Sequence, residues 1–231
     1  MQTILAVSIR LFVLSIFFTL LVAAAGARAQ ETSSEDNLEF NYAFAALTNS
    51  GGGPQLIAVE SDQTLKSGDK LKFYLEALSE TYFYLFHLGP GGVLTQIFPG
   101  SQQSARLPPD RKVIIPNGNK WLELDYQTGM EKFYLIASHT RQDRLENLYQ
   151  HHMTLEETDS IQRSTKEILE EMNKIRQKNL SKNAERPVRI GGSFRGPGSN
   201  PAEPDPDITN LASRVATTGA YGRFFTIDHQ H

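Results

Sequence analysis

Strand-sized segments separated by turn residues recur along most of this chain and restrict its fold more than any other feature. Between residues 40 and 138 eight of them follow one another. In 40–44, Phe40, Tyr42 and Phe44 alternate with Asn41 and Ala43, which turns one aromatic face inward at the period of two that a strand requires. The loop Ser50-Gly51-Gly52-Gly53-Pro54 leads into a short strand at 56–59. Lys66-Ser67-Gly68-Asp69 introduces 71–77, where Leu71, Phe73, Leu75 and Ala77 oppose Lys72, Tyr74 and Glu76. Residues 82–88 are apolar on both faces, the pattern of a strand buried between two layers. Gly89-Pro90-Gly91-Gly92 then reverses the chain into 93–98, a hairpin stopped by Pro99-Gly100. Strands at 112–115, 121–126 and 132–137 complete the series. Short strands at this spacing pack as two sheets face to face, so the expected fold is mainly β, an antiparallel β-sandwich.

The character changes at Arg141. Residues 141–183 are charged and helical in pattern, with Ile161, Ile168, Met172 and Ile175 on one face of a helix over about 160–180. Asp159 or Ser160 is the expected cap, with Gln162 completing a capping box. An apolar stripe of this kind has to be covered, either by the sandwich or by a partner. Residues 191–207, rich in proline, glycine and acid, have too little to bury and read as a disordered loop. Beyond it, 208–215 reads as a short helix and 221–228 as a last strand, with Phe225 and Ile227 inward. The charged helical insertion therefore precedes the last strand of one domain spanning 38–231.

The first 29 residues read as a cleavable secretory signal peptide. Arg10 precedes an apolar run that ends in Ala27-Arg28-Ala29, and cleavage before Gln30 is expected because small residues at Ala27 and Ala29 fit a signal peptidase. A spanning helix needs about 20 apolar residues, more than this run offers. Residues 30–37 form a polar, flexible tail. No later segment reaches membrane-spanning length, so no stable membrane insertion is expected after cleavage. The chain has no cysteine, which excludes a disulfide framework and a lipid-modified cysteine. Losing Arg10 and Arg28 takes the net charge from −3 to about −5. Nucleic acid is not an expected partner, since it demands clustered positive charge.

Leu65-Lys66-Ser67-Gly68-Asp69-Lys70-Leu71, Tyr82-Phe83-Tyr84-Leu85-Phe86, Gly91-Gly92-Val93 with Ile97-Phe98-Pro99, Val113-Ile114-Ile115-Pro116 and Leu124-Asp125 with Gly129 and Glu131 come in a characteristic order. Together with Ile136-Ala137-Ser138 they resemble the bacterial domain of unknown function catalogued as number 4384. Phe225-Thr226-Ile227-Asp228-His229 is similar to that family's ending. The resemblance implies an exported, non-catalytic module with an immunoglobulin-like sandwich, and names no ligand. The long helix and the proline-rich loop depart from the pattern.

Catalytic chemistry finds little support in the sequence. His151 and His152, adjacent on a helix, face different ways and read as solvated; His229 and His231 lie near a terminus where mobility opposes a rigid metal site. His87 reads as a hydrogen-bonded core or rim residue. Gly191-Gly192-Ser193-Phe194-Arg195 lacks the final glycine of a nucleophile elbow. Gly89-Pro90-Gly91-Gly92 lacks the lysine and helix of a phosphate cradle and reads as a turn. Glu156-Glu157 and Glu170-Glu171 fit polar helix faces, near Lys166 and Lys174, better than a glycosidase pair. No catalytic residue, cofactor or metal is expected.

Two sets of binding residues stand out. Tyr74, Tyr82, Tyr84 and Trp121 would form a platform for sugar rings if they shared an exposed face, with sheet packing as the competing role. Ile161, Ile168, Met172 and Ile175 would dock a partner if the sandwich left them uncovered. The leading expectation is a non-enzymatic periplasmic or secreted envelope protein, a protein-binding or assembly module whose partner is another envelope protein. The alternative is a carbohydrate- or peptidoglycan-binding module, and a third reading is an uncharacterised hydrolase.

Overall fold

A computed structural model of the chain describes residues 37–50, 53–179, 184–188 and 206–231. The leader with Ala27, Ala29 and Gln30, residues 30–36 of the tail, and most of the 191–207 loop, including Ser193, lie outside the described residues.

Two sheets make the sandwich. The first is built on β1 (Asn37–Ser50), long enough to pair with two strands along one edge: β2 (Gly53–Ala58) takes residues 45–50, and β12 (Ser213–Thr218) takes residues 37–42. Along its other edge lies β4 (Lys70–Ala77), followed by β8 (Lys112–Ile115) and β9 (Leu122–Glu123), with β11 (Ala184–Pro187) outside β12. The second sheet runs β3 (Gln63–Lys66), β13 (Ala220–Gln230), β10 (Gly129–Ser138), β5 (Thr81–Leu88), β6 (Leu94–Phe98), with β7 (Arg106–Leu107) also on β5. Every pairing is antiparallel except β3 with β13, which is parallel.

Alternation along each strand decides what faces the space between the sheets. Phe40, Tyr42, Phe44, Phe73, Leu75, Phe83, Leu85, Phe133, Phe225 and Ile227 interlock there. Phe44 stacks on Phe73 with ring centroids 3.8 Å apart, and each such side chain contributes about 1.5–3 kcal/mol on leaving water.

The opposite faces of β5 and β10 explain why 82–88 is apolar on both sides. Tyr84, Phe86, Tyr134 and Ile136 point away from the sandwich and are covered by α1 (Asp143–His152) and α2 (Thr158–Asn179). Ile168 and Met172 are fully buried against this face and Ile175 nearly so, so the amphipathic stripe is satisfied by its own chain. The outer face of the first sheet has a smaller cover, a 3-10 turn at Ile208–Leu211 over Ala43, Ala45 and Tyr74.

Several expectations are corrected. Residues 208–215 do not form a helix: after the single 3-10 turn the chain enters β12, because Val215 pairs with Phe40 and joins the inner core. Among the described residues three strands, not one, follow the helices. Asp159 and Ser160 lie inside the first turn of α2 rather than capping it, and the hydroxyl of Ser160 donates to the Glu157 carboxylate instead. The insertion is two helices, and the strand expected at 121–126 shrinks to Leu122–Glu123.

Candidate functional site

On one side of the sandwich the two sheets do not close. The edge formed by β8 in the first sheet and the edges of β6 and β7 in the second leave a groove of about 830 Å³. Its floor is the inner core coming to the surface: Phe98, Leu107 and Ile115 are core residues, and Ile97, Val113 and Leu122 pack against them half-covered. Arg106, Arg111, Lys112 and Lys120 line it, and no carboxylate does.

The backbone of β8 is directed by its pairing with β4. Ala77 N–H donates to the Arg111 carbonyl at 3.0 Å. The alternation of an antiparallel ladder then turns Val113 and Ile115 towards β4, opposite Leu75 and Phe73. Lys112 and Ile114 present their N–H and C=O groups outward along the groove, where no strand pairs with them among the described residues. Lys112 Nζ reaches Glu76 at 3.2 Å and Arg106 pairs with Glu80, so two of the four cations are engaged.

The aromatic residues expected to form one platform do not share a face. Tyr74 and Trp121 belong to the outer side of the first sheet and Tyr82 and Tyr84 to that of the second. Tyr74 is fully buried and donates to Glu76 at 2.9 Å; burial and that carboxylate push its phenol well above the usual range. Glu76 is itself held below the usual carboxylate range: burial acts to raise it, but bonds from Asn41, Tyr74 and Lys112 outweigh burial. Tyr84 is buried beneath α1 and donates to Glu146 at 2.7 Å. Trp121 is half-buried, with the Lys72 ammonium 4.3 Å above its ring. Tyr82 lines an open cleft, about 810 Å³ between α1 and the 99–106 segment, together with Gln96, Gln103 and Gln150. Of the helix residues, Ile161 is only half-covered while Ile168, Met172 and Ile175 are inside.

The histidines are where the sequence reading departs furthest from the structure. His229 is not mobile: its ring is wholly buried in β13, with Nε2 3.1 Å from Ser67 Oγ and Nδ1 3.3 Å from Glu131 Oε1. The other oxygen of Glu131 lies 2.6 Å from His87 Nε2. Hydroxyl, imidazole and carboxylate are thus aligned as in a hydrolytic triad. The neighbouring amides are engaged, however: Ser67 N–H donates to Gln230, Gly68 N–H to Leu124 and Asp69 N–H to Lys66, so none of these three is free to hold an oxyanion. What the array does visibly is fasten β13 to β10, β5 and the turn before β4. His152 is likewise buried rather than solvated, lying against Tyr149. No three metal-ligating side chains are grouped to hold an ion among the described residues. Of the acidic pairs, Glu170-Glu171 behaves as expected, with Glu170 meeting Lys166 at 3.9 Å and Glu171 meeting Lys174 at 3.8 Å and Arg144 at 2.8 Å; Glu156-Glu157 is not on a helix face but in the bend just before α2.

The groove escaped the sequence reading, although a signal was there. A run of three apolar residues entered through Arg111-Lys112 and closed by Pro116 has the composition of a sheet edge. The Ser67–His229–Glu131 array left no local signal, since its members lie on three segments far apart in the chain.

No curated protein and no solved structure matches the chain significantly. Residues 64–141 match the family model described as "Domain of unknown function (DUF4384)". That span holds Ser67, His87 and Glu131 and every residue that lines the groove, while both helices and β11–β13 lie beyond it. Over residues 64–141, the chain is similar to that family.

Proposed function

We propose that the protein is an exported, non-enzymatic envelope module that binds another protein by taking an extended segment of it along β8. The observation that carries this reading is the outward-facing backbone of Lys112 and Ile114 beside a groove floored by core residues. A strand laid there gains main-chain hydrogen bonds from β8 and buries alternate side chains in the floor, the general mode of strand addition. The helix stripe, which first suggested a docking surface, is covered by the chain itself, so the groove takes over that role.

The test is capture of a partner from solubilised envelope by the immobilised protein, compared with Ile114→Pro and Ile114→Ala. Proline removes the outward N–H at an edge position where the ladder to β4 does not need it, so folding is preserved. Wild type and Ile114→Ala should retain a partner that Ile114→Pro loses. A partner held equally by all three, or none held by any, defeats the reading. Export is tested separately: N-terminal sequencing of the mature protein should begin at Gln30, and an intact Met1 on a membrane-bound product would show the leader to be an anchor.

The cleft lined by Tyr82, Gln96, Gln103 and Gln150 supports a second reading, a glycan site, because a ring with amides around it suits a sugar. Loss of glycan binding in Tyr82→Ala would support it.

A further inference from the structure

We infer that the segment received along β8 is acidic, with two apolar residues at alternate positions flanked by carboxylates. This rests on the strand-addition reading and specifies its ligand.

The argument begins with charge. The chain carries a net charge of −3, yet the groove is lined by four cations and no acid. Arg106 and Lys112 are paired with Glu80 and Glu76. Arg111 and Lys120 are exposed and, among the described residues, lie within ion-pair distance of no carboxylate. In sequence they bracket β8, Arg111 just before it and Lys120 just after the turn that leaves it. A basic residue on an edge strand also discourages the edge from pairing with a second copy of itself. Lys112 is placed for that purpose, within the strand and tied to Glu76; Arg111 and Lys120 stand outside the strand and leave its backbone open.

Geometry supplies the spacing. Val113 and Ile115 face the core, so an added strand in register continues that inner face with every second residue, against Ile97, Leu107 and Leu122. Four residues of strand span roughly 13 Å, enough for two such apolar positions. Carboxylates placed just beyond them meet the two unneutralised cations. The resulting pattern is acid, apolar, any, apolar, any, acid.

Selection of a random dodecapeptide library displayed on phage, on the full-length mature protein and with counter-selection on Ile114→Pro, tests this directly. The expected outcome is a set of peptides rich in that pattern. Their synthetic versions should bind at least about tenfold more weakly to the Arg111→Glu/Lys120→Glu double variant, and more weakly as salt is raised from low to high ionic strength. Peptides that depend on Ile114 but show no acidic excess, or that bind the charge-reversed protein equally well, overturn the inference and leave strand addition standing. If no enriched peptide distinguishes wild type from Ile114→Pro, strand addition itself fails. Binding of an acidic polysaccharide such as polygalacturonate, unchanged in Ile114→Pro, would show that the groove takes a polyanion without pairing its backbone, and overturns both.

Discussion

Arg176 of α2 sits directly over Gly222 of β13: a β-carbon added to Gly222 would fall 2.9 Å from the β-carbon of Arg176 and 3.2 Å from its α-carbon. The helix approaches the sheet this closely because glycine leaves room, and the Arg176 guanidinium then reaches the ring of Phe224, 4.6 Å away. Gly222→Val should therefore push α2 off the sheet and lower stability by about 1–3 kcal/mol, the usual cost of overpacking, with Gly222→Ala costing less. Urea denaturation followed by the fluorescence of Trp121, the single tryptophan, measures it. Equal stability of all three proteins would mean that the helix is not held there.

The stripe of α2 is graded. Ile168 and Met172 are fully buried, whereas Ile161 is only half-covered. Met172→Ala should cost about 2–5 kcal/mol, and Ile161→Ser less than about 1 kcal/mol. A reversed order would place the partly open end of the helix, not its middle, against the load of the sheet.

Glu131 is the hub that ties β13 in place through His229 while also bonding His87. Glu131→Ala strands two imidazoles at once and should cost about 1.5–3 kcal/mol or more, the range for hydrogen bonds to charged groups. Ser67→Ala removes only a half-exposed hydroxyl and should cost no more than about 1.5 kcal/mol. Loss of a measurable hydrolytic activity in Ser67→Ala, with stability unchanged, would instead assign the array to catalysis.

How far the sequence could be read depended on the range of the interactions. Phe40, Tyr42 and Phe44, or the two-sided run at 82–88, announce their burial through local periodicity, and the structure places them accordingly. Val215 was misread because local propensity is overridden by its pairing with Phe40, 175 residues earlier in the chain. β3 and β7 are too short to show a period. The groove is a property of where two sheets fail to meet, and periodicity within a strand carries no information about its neighbours across that gap. His229 looked mobile because it is close to a terminus, yet β13 pairs with β10 on one side and β3 on the other, which makes it an interior strand.

His152 gives the protein an acid sensitivity whose direction follows from its surroundings. The residue is buried, its ring lies against Tyr149, and Nδ1 has no partner among the described residues. Burial, with a smaller contribution from His151, holds its imidazole below the ordinary value of 6.5. Well above that value both the folded and unfolded chains carry a neutral ring, and the full stability is present. As the pH falls below about 6.5, the unfolded chain takes up the proton first, and stability declines until the folded ring is protonated too. The loss from one such group cannot exceed about 1.4 kcal/mol per pH unit. His152→Phe keeps the contact with Tyr149 and removes the proton. The difference in unfolding free energy between wild type and this variant should be flat above about pH 7, and should move in favour of the variant below about pH 6. Parallel curves over that interval would mean that the folded protein accepts the charge at no cost, and that the ring is wetter than its burial against Tyr149 implies.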